Sequence, residues 1–113
     1  MKKLLVLVLF AAFAIGAGAQ EKRDVLVKKY FKDNNTFIII CKGYPREGLA
    51  GSQAMETAKE AALLNAQMIA RGIFKESVDV VKGGSVLKYV EHDDYAVVHY
   101  ALARHNLRAK LKK

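Results

Sequence analysis

The chain has no tryptophan, a single proline and a single cysteine among its 113 residues. One cysteine excludes an internal disulfide, and Cys41 sits inside the apolar run Thr36-Phe37-Ile38-Ile39-Ile40-Cys41, where it reads as a small buried hydrophobe. No CxxC, no HExxH and no cluster of His, Cys, Asp and Glu at metal-ligand spacing occurs, so no metal or other cofactor is expected. Gly83-Gly84 is no phosphate loop, because the following Lys-Ser/Thr and the wider glycine spacing are missing. Acidic residues are also scarce, 11 against 19 Lys and Arg, for a formal net charge of +8. That balance favours anionic partners such as lipid headgroups or acidic glycans. After the first 19 positions there is no long hydrophobic run, no repeat and no low-complexity segment.

The one long hydrophobic run is at the start. Lys2 and Lys3 precede the apolar stretch Leu4 to Ile15, and Gly16-Ala17-Gly18-Ala19 follows it with small residues at Ala17 and Ala19. This is the layout of a cleavable signal peptide, Met1 to Ala19, with Gln20 as the first mature residue. The run falls short of the roughly 20 apolar residues that a bilayer span needs. No cysteine follows it to be acylated, so the protein is expected to be exported, periplasmic or secreted, and not lipid-anchored. In that setting nucleic acid is not an expected partner. Cleavage leaves Gln20 to Lys113, enough for one domain, and removes two of the positive charges.

Along that domain, Asp24 to Phe31 and Thr36 to Gly43 are rich in β-branched and aromatic residues, and Lys32-Asp33-Asn34-Asn35 between them has turn chemistry. This predicts a hairpin. The second strand is apolar on both faces and belongs in the middle of a sheet, whereas the first carries Lys28, Lys29 and Lys32 and suits an edge. From Ser52 the period changes: Met55, Ala58, Ala62, Ala66, Ile69 and Ile73 trace one helical face, with Gln53, Glu56, Glu60, Gln67 and Arg71 opposite. Ser52 is the expected N-cap and Gly72 the expected stop. So many alanines on the inner face imply a close approach to a sheet. Ser77 to Val81 reads as a short extended piece. Ser85 to Glu91 and Tyr95 to Ala103 form a second hairpin around His92-Asp93-Asp94, with Val97, His99 and Ala101 on one side and Ala96, Val98, Tyr100 and Leu102 on the other. The mixed polarity of the first set predicts a partly exposed face.

The expected fold is therefore α+β: an antiparallel sheet of four to five strands, one long alanine-rich helix packed on one face, and a short basic C-terminal helix. The last ten residues, Arg104 to Lys113, place Leu107 and Leu111 one turn apart, although such a length is marginal as a helix without tertiary support. Arg104, Arg108, Lys110, Lys112 and Lys113 within it are the candidate residues for binding an anionic partner. Cationic side chains near a charged surface contribute about 1 kcal/mol each. His92, Asp93 and Asp94 are the only crowded titratable groups, and neighbours on a turn usually point apart, so a solvated turn explains them. Ser52, Ser77 and Ser85 lie at element boundaries, where capping explains them. No catalytic residue is assigned, and an enzyme is not expected.

The order from Thr36 onward (strand, long alanine-rich helix, strand, strand) resembles the module of the FlgP-type envelope lipoproteins and of the FlgT N-terminal domain. The segments that carry the likeness are Met55 to Phe74, Gly84 to Val90 and Tyr95 to Tyr100, with Leu107 beyond. The resemblance implies a non-enzymatic envelope protein with a structural or assembly role, flagellum-associated in the named families. Its partner would be another envelope protein or a second copy, met through sheet edges and the basic C-terminus. The chain departs from the lipoprotein members in lacking the acylated cysteine. The competing expectation, from charge alone, is a soluble periplasmic or secreted module that recognises an anionic lipid, glycan or other ligand through its basic tail.

Overall fold

The computed structural model describes residues 25–112. The expected signal peptide, its cleavage point and Lys113 lie outside the described residues. The elements are β1 (Leu26–Asp33), β2 (Thr36–Gly43), α1 (Gly51–Ile73), β3 (Gly84–Glu91), β4 (Ala96–Ala103) and a 3-10 turn (Leu107–Lys110). The four strands form one sheet in the order β1-β2-β4-β3, with every neighbouring pair antiparallel. Because β4 slots between β2 and β3, the helix that connects them crosses over β4. The two most buried strands thus take the centre and the two more exposed ones the edges.

Alternation in the central strands sorts their side chains onto two faces. Phe37, Ile39 and Cys41 of β2 meet Val98, Tyr100 and Leu102 of β4 beneath the helix, where all six are buried. The helix answers with Ala58, Ala62, Ala66 and Ala70, each with no exposed surface. Residues four apart lie on one side of a helix, and the missing bulk lets its backbone approach the sheet. The closest point is Gly43 at the end of β2, where a Cβ would lie 2.7 Å from the Ala62 Cα and closer still to the Ala62 nitrogen and the Ala58 oxygen. Met55, Ile69 and Ile73, expected in the same stripe, flank it half-buried.

At one end of the helix an aromatic cluster closes the core. Phe74 is 1% exposed, and its ring centroid lies 5.3 Å from that of Phe37 and 6.1 Å from that of Phe31. Tyr100 reaches through the core to donate its hydroxyl proton to the Val80 carbonyl at 2.6 Å.

Three parts of the expected outline are corrected: the ends of the helix, the Ser77 to Val81 segment and the C-terminal tail. The helix begins at Gly51, with Ala50 rather than Ser52 in the cap position and no side-chain cap. Gly48 (φ 88°) and Gly51 (φ 64°) adopt left-handed backbone that turns the chain into the helix two residues early. At the other end the helix runs through Gly72 to Ile73, since Gly72 takes no left-handed conformation. Ser77 to Val81 is a series of turns, not an extended piece. The Asp79 carboxylate accepts from the Val81 and Lys82 amides at 3.0 and 2.9 Å, and the Gly83 amide donates to the Asp79 carbonyl, so these groups are committed to turns. Val78 and Val80 are both buried, which reproduces the period of a strand without its hydrogen bonds.

The expected C-terminal helix is the third correction: only the four-residue 3-10 turn forms. Its peptide groups are drawn outward to other elements. The Arg104 and Arg108 amides donate to the Asn35 and Asn34 carbonyls, the Lys110 carbonyl accepts from Lys75, and the Lys112 amide donates to Ile73. Leu111 forms a β-bridge with Phe74, while Leu107 is fully buried. The tail thus ties the β1–β2 turn to the end of the helix.

Candidate functional site

The two arginines of the basic tail are tied to neighbouring segments by hydrogen bonds. The Arg104 Nη1 donates to the Ser77 carbonyl at 2.7 Å. The Arg108 Nε donates to Asn34 Oδ1 at 3.0 Å, and its guanidinium lies 4.3 Å from the Phe31 ring centroid. Planar guanidinium groups suit such stacked, hydrogen-bonded positions, so these two arginines hold the tail against the sheet. Lys110 is half-buried and Lys112 exposed. Lys112 borders a groove of about 390 Å³ together with Arg71, Lys75 and Glu76 over the Phe74–Val78 floor. The four described candidates, Arg104, Arg108, Lys110 and Lys112, therefore do not gather at one place: Lys112 joins cations from the helix end that the linear pattern did not single out.

The other chemistry-bearing residues fall apart in space. Cys41 has no exposed surface, and burial pushes its thiol up to about 12. A thiol this shielded should not react with a thiol-specific reagent in the native protein and should react once on unfolding in urea; rapid native labelling would contradict its placement. His92, Asp93 and Asp94 are exposed on the β3–β4 turn, where the His92 ring stacks on Tyr95 at 4.5 Å. His99 lies on β4, half-buried, its pKa lowered by burial and by nearby Lys88. Ser52, Ser77 and Ser85 are all exposed. Among the described residues no group of three or more His, Cys, Asp or Glu converges in a way that could hold a metal ion. No described helix is long and apolar enough to cross a membrane.

What the fold does assemble is a face. The helix covers one side of the sheet, and among the described residues no other element packs on the opposite side. On that opposite side the register lines up Tyr30, Ile38, Ala101 and Ser85 in one row, then Lys28, Ile40, His99 and Lys88, then Lys42, Val97 and Val90. Ile38, Val97 and Ala101 on this side are only 4%, 8% and 7% exposed. The Lys28 ammonium sits 5.1 Å from the Tyr30 ring and the Lys42 ammonium 5.0 Å from that of Tyr95, so both side chains lie along the face with their stems over its apolar floor. The one strand carboxylate in register with this side is Asp33, paired with Thr36 at the far end. It is turned to the Asn35 amide at 2.8 Å. Asp93 and Asp94 lie in the adjoining turn, beyond the strand rows. The rows thus carry three lysines over an apolar floor. The sequence signal was present in β4, whose Val97, His99 and Ala101 read as a separate face. The lysines on it belong to three different strands, and only the strand order unites them.

The opposite outer surface has the reverse character. Four residues offset by two from the buried alanines, Glu56, Glu60, Leu64 and Met68, run along the exposed side of α1. Lys59 beside them bridges Glu56 at 3.6 Å and Glu91 at 2.7 Å, and its hydrogen bond to Glu91 is the main reason its pKa is raised. No family model, no curated protein and no solved structure matches this chain, so what is established is a small α+β fold, with four antiparallel strands and one long helix among the described residues.

Proposed function

We propose that this chain is an exported, non-enzymatic protein of the cell envelope with a structural or assembly role, of the kind the FlgP-like order of elements implies. The observation that carries the reading is the sheet face opposite α1, where Lys28, Tyr30 and Lys88 are exposed. Three lysines over an apolar floor make a surface suited to contact with a larger partner rather than to enclosing a small substrate. The faces support this reading better than the edges do. Both edge strands are interrupted by register shifts, between Leu26 and Lys28, Phe31 and Asp33, and Val86 and Lys88. Bulges and lysines at an edge discourage strand addition. Light scattering on Gln20–Lys113 across protein concentration, together with pull-down from envelope extracts, tests the proposal. A mass above the monomer or a retained envelope component is expected; a strict monomer that captures nothing would overturn it.

A second reading has its own observation. The groove shared by Arg71, Lys75 and Lys112 is a compact cationic site for an anionic ligand, the role first assigned to the tail. Here Lys75→Glu with Lys112→Glu should abolish retention on an anionic resin or vesicle with the thermal midpoint kept. Unchanged retention would reject it.

A further inference from the structure

We infer that the groove at the C-terminal end of α1 binds a phosphomonoester group; this rests on the second reading above and names its ligand class. Three cations and one carboxylate line the groove: Arg71 from the last turn of the helix, Lys75 and Glu76 just beyond it, and Lys112 from the tail. All four residues are exposed. Three positive charges less one negative leave a net +2. A phosphomonoester carries about −1.5 to −2 at pH 7 and matches it. A carboxylate or a phosphodiester brings a single negative charge and leaves half of the excess uncompensated. The donor set also fits: the planar Arg71 guanidinium can hold two oxygens side by side, and a phosphate offers a third to the two ammonium groups.

The cations are available to such a ligand. Among the described residues the ion pairs are those of Lys59 with Glu56 and Glu91, so none joins Arg71, Lys75 or Lys112 to a carboxylate. Asp79 lies within reach of the Arg71 charge, but it is held below the usual carboxylate range chiefly by the Lys82 and Val81 amides that it accepts from. The carbonyls at a helix C-terminus repel an anion when left free. Here the Ala70 carbonyl accepts from the Phe74 amide and the Ile73 carbonyl from the Lys112 amide. The same ties fix the frame of the groove. The Phe74–Leu111 bridge is flanked by hydrogen bonds from the Lys75 amide to Lys110 and from the Lys112 amide to Ile73, both 2.9 Å. Only side chains remain to be ordered on binding, which keeps its entropic cost low. The adjoining hollow of about 250 Å³, which shares Val78, is a poorer anion site. There Lys82 and Arg104 share the space with Asp79, and Arg104 is already committed to the Ser77 carbonyl.

Titration of Gln20–Lys113, followed by amide NMR shifts, tests this with inorganic phosphate and glucose phosphate as soluble probes. Phosphatidylcholine vesicles containing phosphatidic acid present the same group on a lipid and are tested by co-sedimentation. Dimethyl phosphate and phosphatidylglycerol vesicles present the diester. Saturable binding of a monoester is expected, with shifts around Arg71, Lys75 and Lys112, and the diester should bind about fivefold more weakly or less. Lys112→Gln should weaken monoester binding by about tenfold. Glu76→Gln removes the opposing charge and should tighten it about two- to fivefold. Circular dichroism confirms that both variants are folded. Binding of glucose phosphate alone identifies a soluble source and binding of phosphatidic acid alone a lipid one; either supports the inference. Four results would overturn it: no monoester binds, the diester binds equally well, Lys112→Gln changes nothing, or Glu76→Gln fails to tighten binding. If no monoester binds while Lys75→Glu with Lys112→Glu still abolishes retention on an anionic resin, the second reading stands and only the phosphate class is rejected.

Discussion

Gly43→Val should cost about 3 kcal/mol or more, at or beyond the upper end of ordinary overpacking, and lower the thermal midpoint by more than 10 °C at roughly 4–8 °C per kcal/mol for a domain near this size. The obstruction is backbone on the other side. A Cβ at Gly43 runs into the Ala58 carbonyl and the Ala62 amide, and neither can turn aside as the end of a side chain does. Relief requires lifting α1 from β2, which would thin the contacts of Ala58 and Ala62 together. The reason is space, since Gly43 is not among the residues with left-handed backbone. Gly72→Ala is the matching control: nothing lies within 4 Å of its Cβ, and it sits inside α1. Alanine there should stabilise by about 0.5–1 kcal/mol, because glycine in a helix interior is the costlier residue. Urea melts of both variants check the opposite signs, and equal effects would show that helix–sheet contact is looser than the geometry says.

Phe74→Ala is expected to remove about 3–5 kcal/mol, the usual loss for a fully buried aromatic. Natural domains hold only about 5–15 kcal/mol in all, so this variant should be partly unfolded near physiological temperature. Phe74 is the residue through which four parts of the chain meet. Its ring packs edge-on with Phe31 of β1 and Phe37 of β2, its backbone bridges Leu111, and its amide closes the helix by donating to the Ala70 carbonyl. The backbone links survive the substitution, while the ring contacts do not. A denaturation midpoint that falls with an unchanged slope on denaturant is the expected readout. A loss below about 1 kcal/mol would mean that the cavity collapses onto the neighbouring rings.

The strands and the helix were legible because each carries a regular period. Ala58, Ala62 and Ala66 announced a close-packed helix, and Asn34-Asn35 and Asp93-Asp94 marked the two hairpin turns. The features that escaped are those in which a regular pattern has another cause. Val78 and Val80 alternate as a strand would, yet Asp79 holds their backbone in turns. Ser52 is a better capping residue than Ala50, yet two glycines decide where the helix starts. Arg104 and Arg108 read as two of five cations in a free basic tail, and both are tied to neighbouring segments, one to Ser77 and the other to Asn34 and Phe31.

The sequence by itself determined the α+β class, the hairpins, the central place of β2 and the edge character of β1. All of these depend on residues within a few positions of one another. Periodicity and turn preference are local, so one chain segment suffices to express them. The tertiary structure alone decided the rest. Lys28, Lys42 and Lys88 come together only because β4 inserts between β2 and β3, and Lys112 meets Arg71 and Lys75 only because the tail folds back on the helix end. Which distant segments become neighbours depends on strand order and packing, and no local pattern in the chain encodes that.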